Sequence, residues 1–436
     1  MKKLFAAMAV LAAVTMAAPA QAAADAPGYG VTLGGMINAD MGWQVLGNDN
    51  IQGNNTDSSI TNFFATINSD SYLRAAFTSA DKNTGALIEL GIAAGQNVEN
   101  DGSSDGDNDV YLRYAYGWWK VGSCKLLVGQ MDGRLADGGA SQALGDIKSG
   151  KGGLAGFGFI GATRNPKVAL QMDVNDNFGF EVSLGQAGAE TNTFGSLPEV
   201  TDINGDPVAV ASTNSYLPRL EVVFDFNFGN FTFGVGGGIA YQEYKIRDYM
   251  FNGANVADAD DSALSWLVWV PVEYTNGPFT VVLNAHYGHN VDTDWTGENT
   301  SEYGDGLYGS VTNVNGIYGG QPGSLPFYNG TDVEDTKQWG VGIDFNFELT
   351  EQLGLAVGGG ITNLSNDAWE INGQGNDDYT RWAVYVALPY AVTNNFTIQP
   401  EVGYYNYGDK VGPIDADEED EAGDEWLVGV HFQFLF

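Results

Sequence analysis

Hydrophobic and polar residues alternate along most of this chain with a period of two. In RLEVVFDFNF, Leu220, Val222, Phe224, Phe226 and Phe228 share one face, and Arg219, Glu221, Val223, Asp225 and Asn227 share the other. KQWGVGIDFNF sets Trp339, Val341, Ile343, Phe345 and Phe347 against Gln338, Gly340, Gly342, Asp344 and Asn346. The closing run LVGVHFQFLF does the same, with Trp426, Val428, Val430, Phe432, Phe434 and Phe436 in one row. A period of two describes a strand whose faces meet different surroundings. The pattern predicts sixteen strands, over 29–46, 62–78, 85–96, 109–121, 124–132, 165–174, 178–188, 216–228, 231–246, 263–276, 278–290, 336–349, 353–364, 378–392, 396–409 and 424–436.

The links between these strands carry a second signal. After every even-numbered strand the link is short: SADKNTG, VGS, VNDN, FGN, TNG, LTEQ and AVTNN. After every odd-numbered strand it is longer, with 133–164 and 291–335 the longest. A soluble sandwich has no reason to gather its long links at one end. A closed barrel crossing an outer membrane does, with short periplasmic turns and long outer loops. No apolar stretch beyond residue 22 reaches transmembrane-helix length, so a closed barrel is the remaining way to satisfy every backbone group inside a bilayer. The expected fold class is therefore all-β, a closed antiparallel transmembrane β-barrel of sixteen strands.

The first residues fit that destination. Lys2 and Lys3 precede an apolar run from Leu4 to Ala18, and Ala20-Gln21-Ala22 follows. This is the order of a cleaved secretory signal, expected over 1–22, with 23–436 as one barrel domain. Removing it would take the formal charge from −37 to −39. A single cysteine, Cys124, excludes an internal disulfide framework. The second half also repeats: DFNFGNFTFGVGGGI resembles DFNFELTEQLGLAVGGGI, and WLVWVPVEYTNGPFTV resembles WAVYVALPYAVTNNFTI. Duplication of hairpins would build such a barrel, although strands of similar composition also converge.

Catalysis has little to work with. The three histidines are His286, His289 and His431, and the spacing in HYGH puts the first two on opposite strand faces, a poor metal pair. No serine and histidine share a face as a barrel lipase needs. Gly236-Gly237-Gly238 lies inside a strand with no helix after it, so it is no phosphate cradle.

Several short motifs resemble the general bacterial outer-membrane porins. SYLRAAFTS, Ser71 to Ser79, is similar to their second strand, and VYLRYAYGWWKVGSCKLLVGQ, Val110 to Gln130, to their fourth and fifth strands. Gly429-x-x-Phe432-x-Phe434, two residues before Phe436, resembles the terminal signal read by the barrel-assembly machinery. Two features depart from that pattern. Gln130 stands where the porins carry an arginine, and the acidic Pro-Glu-Phe-Gly-Gly motif of their third loop is absent. The resemblance implies passive diffusion of small hydrophilic solutes through a water-filled channel, a homotrimer, and contact with outer-membrane lipids and lipopolysaccharide. It also implies that the third loop, 133–164, folds inward and narrows the bore; an exposed surface loop is the alternative.

Putting the apolar rows toward lipid turns Arg74, Arg113, Arg219 and Arg381 inward, with Asp70, Glu181, Glu221, Asp225, Glu273, Asp344 and Glu401. An arginine facing lipid near the midplane would cost about 2–4 kcal/mol, which favours this register. These charges either line a pore or pair across strands in a solvated wall. The third loop adds Arg134, Asp137, Asp146, Lys148, Lys151 and Arg164. In the same register Trp119, Trp269, Tyr385, Tyr405 and Tyr407 point inward and could stack on sugars, the basis of a substrate-selective alternative. A non-conducting structural barrel or adhesin is a third. The acidic stretches 99–109 and 415–425 could hold Ca²⁺, with Asp101, Asp105, Asp107 and Asp109 as donors in the first, or could simply be solvated charge. No other cofactor and no nucleic-acid partner is expected.

Overall fold

The computed structural model describes residues 29–46, 60–68, 70–95, 109–132, 140–144, 154, 156–160, 164–185, 212–214, 217–246, 249–251, 254–256, 259–291, 324, 327–328, 333–367, 376–409 and 424–436. The proposed signal 1–22 and most of the acidic loops lie outside these residues.

Sixteen antiparallel staves close on themselves. They are β1 (Tyr29–Leu46), β2 (Ile60–Ile67 with Tyr72–Ser79), β3 (Thr84–Gly95), β4 (Asp109–Val121), β5 (Cys124–Asp132) and β6 (Arg164–Asn175). Next come β7 (Phe178–Gly185), β8 (Ser212–Asn214 with Arg219–Asn227), β9 (Phe231–Ile246), β10 (Ala259–Asn276) and β11 (Phe279–His289). The circuit ends with β12 (Lys337–Glu348), β13 (Gly354–Ser365), β14 (Asp378–Ala387 with Tyr390–Thr393), β15 (Phe396–Asn406) and β16 (Asp424–Leu435). Each stave pairs with the next, and β16 pairs with β1 from Met36↔Leu435 to Leu46↔Glu425, which removes both sheet edges. The number and order of strands match the expectation from the alternation.

The seven tight turns gather at one end. Gly122 and Gly277 take φ of 62° and 58° in two of them, a left-handed conformation that glycine adopts without strain. In the turn after β2, Asp81 accepts from Ser79 Oγ at 2.5 Å and Asn83 N at 3.1 Å. Those bonds hold its carboxyl below the usual carboxylate range.

The outer surface is apolar. Leu33, Phe63 and Val128 are each more than half exposed, a band that water would not tolerate and lipid would. Trp43–Phe63, Trp266–Tyr287, Trp382–Tyr404 and Tyr404–Trp426 ring contacts lie toward the long-loop end. Near the turns Phe226 stacks on Phe233 and meets Phe178 at a tilt, and Phe396 stacks on Phe434 at 4.2 Å. Two aromatic girdles around an apolar band are the signature of a barrel embedded in a bilayer.

Two irregularities re-aim side chains. β2 breaks at 68–71, where Asn68 N and Ser71 Oγ both bond to Asn38 O, and the extra residues push Asp70 into the lumen. β4 bulges at Arg113, between the pairs Glu89↔Tyr114 and Leu90↔Leu112. One extra residue there puts Arg113 and Tyr114 on the same inner side and reverses the parity of everything after it. Trp119 is consequently on the outer face, 56% exposed, not in the lumen as strict alternation predicts.

Candidate functional site: the lumen and its inner loop

The lumen wall is built from the polar rows of the staves. Arg74, Asp70, Arg113, Glu181, Arg219, Glu221, Asp225, Asp344, Arg381 and Glu401 all belong to inward rows, and most are buried. What distinguishes them is how they are used.

Three of the four arginines are neutralised by neighbouring carboxylates. Arg74 meets Glu89 at 2.5 Å, and Arg113 bridges Glu89 at 2.8 Å and Asp70 at 2.9 Å. Both guanidinium groups lie over the Tyr72 ring, at 4.7 and 5.6 Å. On the other side Arg219 meets Glu221 at 3.0 Å, Ser183 Oγ donates to Glu221, and Gln171 donates to Glu181 at 2.7 Å. His431 sits 2.7 Å from Asp40 across the β1–β16 seam. Most of these inward charges are thus paired, across staves or along one. A buried ion pair is held together chiefly because breaking it strands a charge.

Two carboxylates do something else. Glu401 accepts the backbone N–H of Ala143 at 2.9 Å and of Leu144 at 3.1 Å. Asp344 accepts from Ser141 Oγ at 2.9 Å, and Tyr385 donates to it as well. Gln142 donates to Tyr405, Gln399 donates to Ser141 O at 3.0 Å, and Gly158 N donates to Thr362 Oγ1 at 2.7 Å. Residues 141–144, 154 and 156–160 of the third loop therefore lie inside the barrel, bonded to the inner wall of β12–β15. The alternative of an exposed surface loop does not hold for them.

Packing completes the attachment. Leu144, Leu154, Phe157 and Phe159 join Tyr385, Tyr405, Tyr407 and Leu427 in one buried cluster. Phe157 lies edge-on to Tyr405 and Tyr407 and 5.5 Å beneath Arg381. Glycine makes the room: a Cβ on Gly342 would collide with the Phe159 ring. Ile160 then packs with Val223, Leu267 and Trp269 on β8 and β10. The described residues of the loop thus lie along the inner wall at β8, β10 and β12–β15.

Of the charged loop residues, Arg134, Asp137, Asp146, Lys148 and Lys151 lie outside the described residues, and Arg164 opens β6 opposite Asp132. Asp101, Asp105 and Asp107 also lie outside them, and Asp109 is described only as the first residue of β4. Among the described residues no group of three metal-ligating side chains converges. His286 faces inward, 3.1 Å from Gln338, while His289 faces outward against Trp266. The aromatic candidates form no open track. Trp269 donates to Asn284 at 2.7 Å, Tyr385 and Tyr405 are committed to Asp344 and Gln142, and Trp119 is outside.

Sequence reasoning omits Glu89, Asp40, Ser141, Phe157 and Thr362. Glu89 stands on the polar row opposite Arg74, and that cross-strand pairing is a usable signal. The loop's hydrogen bonds to Asp344, Thr362 and Glu401 offer none, since each joins positions more than two hundred residues apart. Gln130 acts locally, its amide donating to the carbonyls of Leu112 and Arg113 at the bulge.

At the turn end, a cavity of about 670 Å³ opens between β6 and β11, lined by Asp173, Asp225, Glu273, Asn175, Asn227, Trp269 and neighbours.

No protein-family model matches this chain, and no curated protein does. Solved structures do match. The outer membrane channel DcaP of Acinetobacter baumannii aligns over 94% of this chain and 97% of its own, with a TM-score of 0.60 at 17% identity. A loop L8 deletion mutant of OmpT, an outer membrane protein of Vibrio cholerae, aligns over 94% and 99%, with a TM-score of 0.51 at 11% identity. With its closed circuit of sixteen staves and its apolar exterior, the chain has the fold of the bacterial outer-membrane porins.

Proposed function

We propose that this protein is an outer-membrane porin, a water-filled channel through which small hydrophilic solutes and ions diffuse down their gradients. The observation that supports the reading is the third loop, whose described residues lie inside the barrel, clamped to the wall by Asp344 and Glu401. A barrel serving only as scaffold or adhesin has no need of an internal loop whose backbone is held by buried carboxylates. In this reading the loop narrows the bore, and paired wall charges keep the lumen wet. Residues 1–22 direct export, Gly429, Phe432, Phe434 and Phe436 present the assembly signal, and the working unit is a homotrimer set among outer-membrane lipids and lipopolysaccharide. Calcium bound by the acidic outer loops would add bridges at that surface. A sugar-selective channel is the weaker reading, because Tyr385 and Tyr405 spend their hydroxyls on the loop and wall. Purified protein in a planar bilayer tests the proposal: stepwise conductance supports it, and a folded barrel that never conducts would falsify it.

A further inference from the structure

We propose that the inner face of β4 and β5 is a binding subsite for solutes that join a flat apolar ring to one anionic group, aromatic carboxylates being the class; this deepens the channel reading above and rests on it. The bulge at Arg113 builds the subsite. With parity reversed after it, Tyr114, Tyr116 and Trp118 stand on the inner row of β4. Their rings form a ladder, Tyr114 to Tyr116 at 6.4 Å and 73°, and Tyr116 to Trp118 at 6.2 Å and 49°. All three are half-buried, and the run from Tyr114 to Trp118 covers roughly 14 Å of wall. A Cβ on Gly85 of β3 would collide with the Trp118 ring, so the indole lies against bare backbone there.

Two further features fix the chemistry of the solute. Leu127, Met131 and Ala169 form a buried apolar cluster against which the three rings pack, and Tyr114 donates its hydroxyl to Asp132. A sugar needs hydrogen-bond partners along its length, whereas a flat apolar ring needs only faces and edges to stack on. At the turn end of the ladder Lys120 and Lys125 stand directly opposite each other, and Lys125 Nζ lies 5.4 Å from the centre of the Trp118 ring. Like charges opposed across strands are destabilising. The chain has 18 basic residues against 55 acidic ones, yet among the described residues neither lysine forms an ion pair with a carboxylate. Arg74, Arg113 and Arg219, in contrast, are each matched. An anionic group seated between the two lysines relieves their repulsion while its ring stacks along Trp118 and Tyr116.

The test uses full-length protein in a planar bilayer, with sodium benzoate as the probe. Benzoate should interrupt the wild-type potassium chloride current in proportion to its concentration. Acetate carries the charge alone, benzyl alcohol the ring alone and glucose neither, and each should interrupt it far less. Trp118→Leu and Lys125→Gln should each weaken the block by roughly twofold to tenfold. Trp119→Leu, on the lipid face of the same strand, should leave it at the wild-type level. Heat-modifiable mobility on gels identifies folded variants, and either inner substitution suffices if the other fails to assemble. Saturation-transfer NMR of benzoate with the detergent-solubilised barrel reads the subsite independently of conduction. A wild type that never conducts would overturn the channel reading. Absence of a benzoate contact, a contact unchanged in folded Trp118→Leu and Lys125→Gln, or a block by acetate or glucose equal to that by benzoate would overturn the subsite alone.

Discussion

Gly360 on β13 lies so close to Phe157 of the inner loop that a Cβ on Gly360 would collide with the Phe157 carbonyl oxygen. The loop rests on bare backbone there. Gly360→Ala must displace the loop or bend the strand, and overpacking of this kind costs about 1–3 kcal/mol. A lower unfolding midpoint in detergent and an altered single-channel conductance are expected together. An unchanged conductance with a folded barrel would mean that this contact does not position the loop.

Deleting residues 137–160 should enlarge single-channel conductance while the barrel still assembles, because the staves close without the loop. Glu401→Gln combined with Asp344→Asn should act in the same direction, more weakly. Charge-assisted hydrogen bonds contribute about 1.5–3 kcal/mol each, and these two side chains anchor the loop at Ser141, Ala143 and Leu144. Broader, noisier open levels in bilayer recordings are the expected result. Wild-type levels in the deletion would remove the loop from the permeation path.

Arg113 contacts both Asp70 and Glu89, and Glu89 is fully buried. Arg113→Ala takes the positive charge from between two carboxylates, a loss of about 3–5 kcal/mol for a buried pair broken from one side. Urea unfolding of the detergent-solubilised barrel measures it. Adding Glu89→Gln to Arg113→Ala should recover part of the loss, and no recovery would show that the arginine acts through packing alone.

The last three residues seal the barrel as well as ending the chain. Gly35 N donates to Phe436 O at 2.9 Å, Phe436 N donates to Gly35 O at 3.1 Å, and Leu435 N donates to Asn395 O at 2.9 Å. Phe434 stacks on Phe396 at 4.2 Å. Removing Phe434, Leu435 and Phe436 should leave the protein degraded or held in the periplasm. Normal amounts of heat-modifiable barrel in outer-membrane fractions would contradict both the seam and the assembly signal.

Strand number, strand order and the inner and outer faces of most staves are legible in the sequence. These follow from local chemistry, because every second residue must suit lipid and its neighbour must suit the lumen, and no distant contact is needed to read that rule. Leu220, Val222 and Phe224 announce their side without reference to anything else. Position along the wall is legible too, which is why the alternation alone places Arg74, Arg113 and Glu401 inward. Only the tertiary structure decides what those side chains do. Trp119 lies opposite to the face that strict alternation predicts because a bulge adds one residue where β3 and β4 pair, and pairing register is a property of two strands, not one. Glu401 and Asp344 look like pore-wall charges in sequence, yet they hold a loop more than two hundred residues away. The partners of a buried carboxylate are chosen by closure of the barrel, which brings the loop after β5 against β12–β15, and nothing local to either segment encodes that meeting.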